Sequence, residues 1–192
     1  MRVIAGSVRG TRLGRVPAGV RPVSDRAREG LFSSLGGRLD GARVLDLYAG
    51  TGALGIEALS RGADEAVFVE ASPAAVTAVQ DNLARTRLED RAVVQRSDVR
   101  RFLERGPVSE EGFDLVFLDP PYEAGGSGLD AVLALLDLKP LLREGFTVIL
   151  SRGSKSSKDV IPLQWAVARR LSYGDSVVML FRSRNLPRDV EV

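Results

Sequence analysis

The residues best equipped for chemistry sit at the ends of two apolar runs. The first run, Val44-Leu45-Asp46-Leu47, passes into Tyr48-Ala49-Gly50-Thr51-Gly52-Ala53-Leu54-Gly55. Its glycines fall as G-x-G-x-x-G between a predicted strand and a predicted helix, the context that gives the pattern weight. Gly50 and Gly52 let the backbone approach a ligand with no Cβ in the way, and Gly55 permits close packing of helix on strand. Glu70, at the end of the next predicted strand, offers a carboxylate to a ribose diol. Such a constellation binds a nucleoside. A nicotinamide dinucleotide would bring its pyrophosphate to the turn, where Asp46 would repel it. A donor carrying amino and sulfonium cations, as S-adenosylmethionine does, would be attracted. The dinucleotide and a purely structural turn stand as the alternatives. Asp98, after the third predicted strand, is placed either to bond an adenine amino group or to cap the helix that follows.

The second run, Phe113 to Leu118, ends in Asp119-Pro120-Pro121-Tyr122. Two consecutive prolines fix φ twice and supply no N–H, which makes a rigid elbow with free carbonyls. In an open α/β sheet the carboxyl ends of the strands form the ligand crevice, so Asp119 and Tyr122 should face whatever the glycine turn holds. The fitting chemistry is alkylation of an exocyclic amine on a planar base, whose lone pair is delocalised and poorly nucleophilic. Asp119 and the Pro120 carbonyl would orient that amine and favour positive charge on it, and Tyr122 would stack on the base. An incidental Asp cap before a Pro-Pro loop is the plain alternative.

Composition narrows the choice further. The 192 residues contain no Cys and no His. Thiolate nucleophiles, disulfides, Ser–His–Asp triads and histidine or cysteine metal sites are therefore excluded, and no metal is expected. Catalysis is left to carboxylates, Lys, Tyr, backbone dipoles or a bound cofactor. Charge is uneven: the first 40 residues hold eight Arg against three acids, a net +5, while the remainder carries −3. A basic head on a mildly acidic body suits a polyanionic partner, although an Arg-rich solvated face would look the same. Neither a membrane span nor a secretory signal is legible, so a cytoplasmic location is expected.

The elements that must position these residues follow from periodicity. In residues 1–40, Val3-Ile4-Ala5 and Leu13-Gly14-Arg15-Val16 are candidate hairpin strands. A helix capped by Ser24 or Asp25 buries Ala27, Leu31, Phe32 and Leu35 and ends at Gly36-Gly37. From 41 to 192 short apolar runs alternate with amphipathic helices. Strands are expected at 44–47, 66–69, 92–94, 113–118 and 147–150, and helices near 53–60, 73–86, 98–104 and 128–138. Ser72-Pro73 marks the start of the second of these helices, with Val76, Val79 and Leu83 inward. Runs at 165–172 and 176–182, joined by Tyr173-Gly174-Asp175, predict an antiparallel edge hairpin. The expectation is a mostly parallel Rossmann-like α/β sheet with a small N-terminal hairpin-and-helix extension. The patches 125–128 and 154–158 read as mobile loops.

Asp46-x-x-Ala49-Gly50-x-Gly52 and Asp119-Pro120-Pro121-Tyr122 together make the chain resemble class I S-adenosylmethionine-dependent methyltransferases that act on amino groups. The head sharpens the resemblance. Arg2-Val3-Ile4-Ala5-Gly6, Arg9-Gly10, Leu13, Pro17, Arg21 through Phe32, and Leu54 through Ala63 look like the signature of the RsmD family. That family methylates the N2 amine of a guanine in small-subunit (16S) ribosomal RNA. The resemblance implies donor contacts from Asp46, Tyr48, Ala49, Gly50, Gly52, Glu70, Ala71, Ser97, Asp98 and Asp119, with S-adenosylhomocysteine as product. It places the guanine on Asp119, Pro120, Pro121 and Tyr122, and RNA phosphates on Arg9, Arg12, Arg21, Arg26 and Arg28. The implied partner is the small ribosomal subunit or its assembly intermediate, met by a monomer. The chain departs from the family pattern at Val23-Ser24, at Gly30, and at Ser151-Arg152, where an acid is expected. An adenine or glutamine amino methyltransferase, a nicotinamide oxidoreductase and a non-catalytic assembly factor are the competing readings.

Overall fold

A computed structural model describes residues 1–17, 23–36, 39–106, 111–120, 126–138, 140–153 and 161–183. Helix α1 (Asp25–Leu35) begins where the Ser24 hydroxyl accepts from Ala27 N–H, and it stops at Gly36 with φ 63°. Its inner side holds Ala27, Leu31, Phe32 and Leu35, as periodicity predicts, and also Arg28. Then come β1 (Arg43–Leu47), α2 (Ala53–Ser60), β2 (Glu65–Glu70), α3 (Pro73–Thr86) and β3 (Ala92–Arg96). The chain continues through α4 (Val99–Arg105), β4 (Phe113–Leu118), α5 (Gly126–Leu138), β5 (Leu142–Gly153), β6 (Trp165–Tyr173) and β7 (Ser176–Ser183).

The seven strands lie in the order β3-β2-β1-β4-β5-β7-β6. β1 to β5 are mutually parallel, whereas β7 runs antiparallel to β5 and to β6. This is the expected mostly parallel Rossmann-like sheet with an antiparallel edge. Strand order reverses between β1 and β4, so the crevice opens at their carboxyl ends, beside the glycine turn and Asp119. All five residues of β1 are buried, as befits a central parallel strand covered on both faces.

Side-chain alternation divides the core in two. Val44, Leu115 and Phe117 face a cluster with α1, α2 and α3, while Leu45, Leu47, Val116 and Leu118 face one with α4 and α5. Phe32 of α1 meets Phe117 at 5.7 Å between ring centroids. Val3 and Leu13, at 1% and 7% exposure, belong to that same first cluster. The head is thus built into the core.

Some expectations need correcting. The two head strands reduce to one antiparallel bridge, Arg2 with Arg12. The reason is that Ile4 and Ala5 N–H donate to the Glu57 carboxylate, at 2.8 and 3.0 Å, and so are not free for a ladder. On α3 the buried residues are Ala75, Val79, Asn82, Leu83 and Thr86, with Val76 only half-buried. α5 starts two residues earlier than its periodicity suggests, so Gly126 and Gly128 are helical. β5 runs well beyond 147–150 at both ends: β7 pairs with it through to Gly153, and at the other end Leu142 pairs with Phe113 of β4. Residues 154–158 lie outside the described residues.

Gly30 also finds an explanation. A Cβ there would come within 2.0 Å of the Tyr173 hydroxyl, so the glycine admits the tip of the β6–β7 hairpin against α1.

Candidate active site

The turn between β1 and α2 is assembled from left-handed backbone. Tyr48, Gly50 and Gly52 have φ of 62°, 59° and 75°. The two glycines adopt this freely, whereas Tyr48 is a bulky residue in a sparsely populated region. Gly52 N–H closes the turn on the Ala49 carbonyl at 2.8 Å. Glu70, from the tip of β2, accepts Gly50 N–H on one oxygen at 2.9 Å and Ser72 N–H on the other at 2.8 Å. A carboxylate offers about four lone-pair sites, so each oxygen can still accept from a diol. Gly55 has the predicted role: a Cβ there would lie 2.3 Å from the Phe68 ring.

Asp46 is 1% exposed and accepts Gly55 N–H at 2.9 Å. Burial drives its carboxyl up to about 8, against the opposing Gly55 bond, and the Asp119 and Glu70 charges push the same way. The Asp119 carboxyl is likewise raised by burial, to about 6, and held back by a hydrogen bond donated by Ser151. Three carboxylates from the tips of β1, β2 and β4 therefore share one crevice, and among the described residues no cation is among the groups that act on Asp46 or Asp119. Such a donor set fits a positively charged ligand and disfavours a pyrophosphate.

Asp98 caps α4, accepting Arg101 N–H at 3.1 Å, and its exposed carboxylate keeps further accepting capacity toward solvent. Burial, with Asp98 nearby, pushes the Tyr48 hydroxyl up to about 12, which keeps it a neutral donor. Ser97 N–H bonds the Glu70 carbonyl at 3.0 Å and its hydroxyl donates to the Asp98 carbonyl, so these three residues share one rim. Ala71 is exposed beside Glu70, Ala49 is buried under the turn, and Pro120 is buried behind Asp119. Pro121 and Tyr122 lie outside the described residues. A cavity of about 210 Å³ occupies the opposite, amino-terminal end of the strands, between Asp40, Leu115 and Arg143, away from the three carboxylates.

On the head, Arg9, Arg12 and Arg26 are exposed, and Arg21 lies outside the described residues. Arg28 departs from the expectation of a phosphate contact. It is fully buried, donating to the Arg2 carbonyl at 2.6 Å and to Asp25 at 2.7 Å, with Glu57 at 3.8 Å. Its place four residues before Phe32 on the inner side of α1 was the signal for that.

Two further residues escaped the sequence reading. Glu57, fully buried on α2, accepts from Ile4, Ala5 and, at 2.7 Å, Arg61. Asn82, fully buried on α3, accepts Gly14 N–H at 2.7 Å and donates to the Thr51 carbonyl at 2.9 Å. Glu57 stands in an otherwise apolar helical stretch, Leu54 to Leu59, an anomaly that could have flagged it. Asn82 carries no comparable local signal.

The chain matches the model of the family described as "Conserved hypothetical protein 95" over residues 1–182. It is 36% identical to the Bacillus subtilis protein named "Putative rRNA methyltransferase YlbH", covering 96% of this chain and 100% of that one. It is 31% identical to the "Ribosomal RNA small subunit methyltransferase D" of Escherichia coli, over 95% and 89% of the two chains. A solved structure titled "Putative methyltransferase yhhF from Escherichia coli" superposes with a TM-score of 0.83 at 32% identity, covering 95% of this chain and 97% of that one. The match thus runs along nearly the whole length of the chain and of a shared fold, and the chain belongs to the RsmD family.

Proposed function

We propose that this protein transfers a methyl group from S-adenosylmethionine to the exocyclic N2 amine of a guanine in 16S ribosomal RNA. The observation that carries the reading is the convergence of Asp46, Glu70 and Asp119 at the β1/β4 switch point. Names borne by the relatives favour ribosomal RNA of the small subunit as acceptor. The basic head, with Arg9, Arg12 and Arg26 exposed and Arg21 beside them in sequence, supplies the complementary charge for an RNA backbone.

Asp46 and Glu70 would hold the donor, Glu70 on its ribose and Asp46 toward its cationic end. The rim of Tyr48, Ala71, Ser97 and Asp98 would enclose its adenosine, over the backbone of Ala49, Gly50 and Gly52. The donor brings an electrophilic methyl: the N–C bond forms as the C–S electron pair returns to sulfur, and the nitrogen sheds one proton. Asp119 accepts a hydrogen bond from the amine, turning its lone pair toward the methyl and stabilising the positive charge that grows on nitrogen. A carboxyl raised to about 6 is also a better resting place for that proton than an ordinary aspartate. Pro120, Pro121 and Tyr122 would bound the base. No step calls on a metal, and among the described residues no cluster of three metal-ligating side chains exists. Among these residues no helix is long and apolar enough to cross a membrane.

The test is transfer of labelled methyl to unmodified small subunits, with the modified nucleotide mapped. Label on one guanine N2 is the expected result. Label on adenine, on protein or nowhere sinks the assignment.

A further inference from the structure

We propose that Ser151 is a positioning residue for methyl transfer, donating its hydroxyl hydrogen bond to Asp119 and so fixing which carboxylate oxygen meets the acceptor amine. The inference rests on the methyl-transfer reading given above. β4 and β5 pair in parallel, with Leu118 opposite Leu150, so the next residues of each, Asp119 and Ser151, stand side by side at the strand tips. Ser151 is part-buried and its hydroxyl bonds the Asp119 carboxylate. Its backbone is held on the far side as well, because β5 continues to Gly153 and Ser151 pairs with Val178 of β7. The hydroxyl is thus presented from a strand anchored on both edges.

The chemistry asks for such a group. An amine donates most strongly to an ionised carboxylate, and only the ionised form stabilises the positive charge that grows on nitrogen, whereas burial works against ionisation at Asp119. From β1 the Asp46 carboxyl, with Glu70 of β2 beyond it, opens into the same crevice, and the Asp119 charge in turn pushes Asp46 up. On β5 the next residue, Arg152, alternates to the other face of the sheet. A neutral donor at Ser151 is the contribution that favours the charged form, and it occupies one lone pair while leaving the rest for the amine.

The experiment compares Ser151→Ala and Ser151→Thr with the wild-type chain. The Asp119 carboxyl is titrated by carbon NMR in the free protein, and the pH profile of kcat is measured on unmodified small subunits. Ser151→Ala should move both the titration and the acidic limb upward by about one pH unit, lowering kcat at pH 6 about fivefold with KM for the donor unchanged. Ser151→Thr, which keeps a hydroxyl, should restore both. A folded Ser151→Ala with an unmoved Asp119 titration overturns the proposal, as does a titration that moves while the limb does not. A wild-type chain inert on small subunits overturns the methyl-transfer reading instead, and the titration then still decides the hydrogen bond.

Discussion

Two carboxylates lie fully inside this protein, one turn of helix and one strand apart, and they are treated in opposite ways. Glu57 is surrounded by donors: two backbone N–H groups of the head, the Arg61 guanidinium, and Arg28 at 3.8 Å. Asp46 has a single backbone donor, Gly55, and its nearest charges are the carboxylates of Asp119 and Glu70. A buried charge needs partners. Glu57 finds them within the chain and therefore holds the fold together. Among the described residues no cation acts on Asp46, and the proposed methyl donor would bring one.

The largest expected effect comes from breaking the saturated site. Glu57→Gln removes the counter-charge of Arg61 and one of the two carboxylates beside buried Arg28, which keeps only Asp25 at 2.7 Å; loss of a buried pair's partner costs up to about 3–5 kcal/mol. Urea unfolding should register that loss, with donor affinity in the surviving folded protein changed little. Arg28→Ala should lower the urea midpoint in the same way while leaving the salt dependence of RNA binding intact.

Next in size is Asp119→Ala. Removal of a group that stabilises developing charge typically lowers kcat by about 10²–10³. Single-turnover methyl transfer should fall by that much, with donor and RNA binding retained.

Asp46→Asn should do the reverse of Glu57→Gln. The folded carboxyl sits at about 8, well above its unfolded value, so between about pH 4 and pH 8 the unfolded state binds fewer protons and wild-type stability falls as pH rises. The variant removes that decline, and thermal melts across this range should show a flatter profile. Its affinity for S-adenosylmethionine should drop at least about tenfold, the order expected for a charged hydrogen bond. In wild type, donor affinity should strengthen as pH climbs toward 8, with proton release detectable by calorimetry in buffers of different ionisation heat.

Smaller effects belong to the surface. Neutralising Arg9, Arg12 or Arg26 should each reduce the slope of log K against log salt for single-stranded RNA by about 0.7, with donor affinity constant. Gly30→Ala should destabilise by about 1 kcal/mol through its collision with Tyr173, and adding Tyr173→Phe should recover part of it.

Much of this arrangement was legible in the sequence, and the limit has a physical cause. Strand–helix alternation, Ser72-Pro73, the glycine turn and Gly55 all depend on neighbours a few residues apart, and each stands where the pattern put it. Glu57 with Ile4, and Asn82 with Gly14, join positions 53 and 68 residues apart, and no local period encodes such a pairing. Arg28 was misread for the same reason: its type suggested phosphate, while its partners arrive from Arg2 and Glu57. Tyr48 shows a subtler limit, since its neighbours' glycines advertised left-handed backbone but the tyrosine joins them in it.

Asn82 holds the head by its oxygen and the glycine turn by its nitrogen, so a single amide ties the two together. The head is consequently no detachable module. Anyone transplanting it onto another catalytic domain would have to carry α3 along with it, and a recipient lacking an inward amide at that point would receive the arginines without their footing.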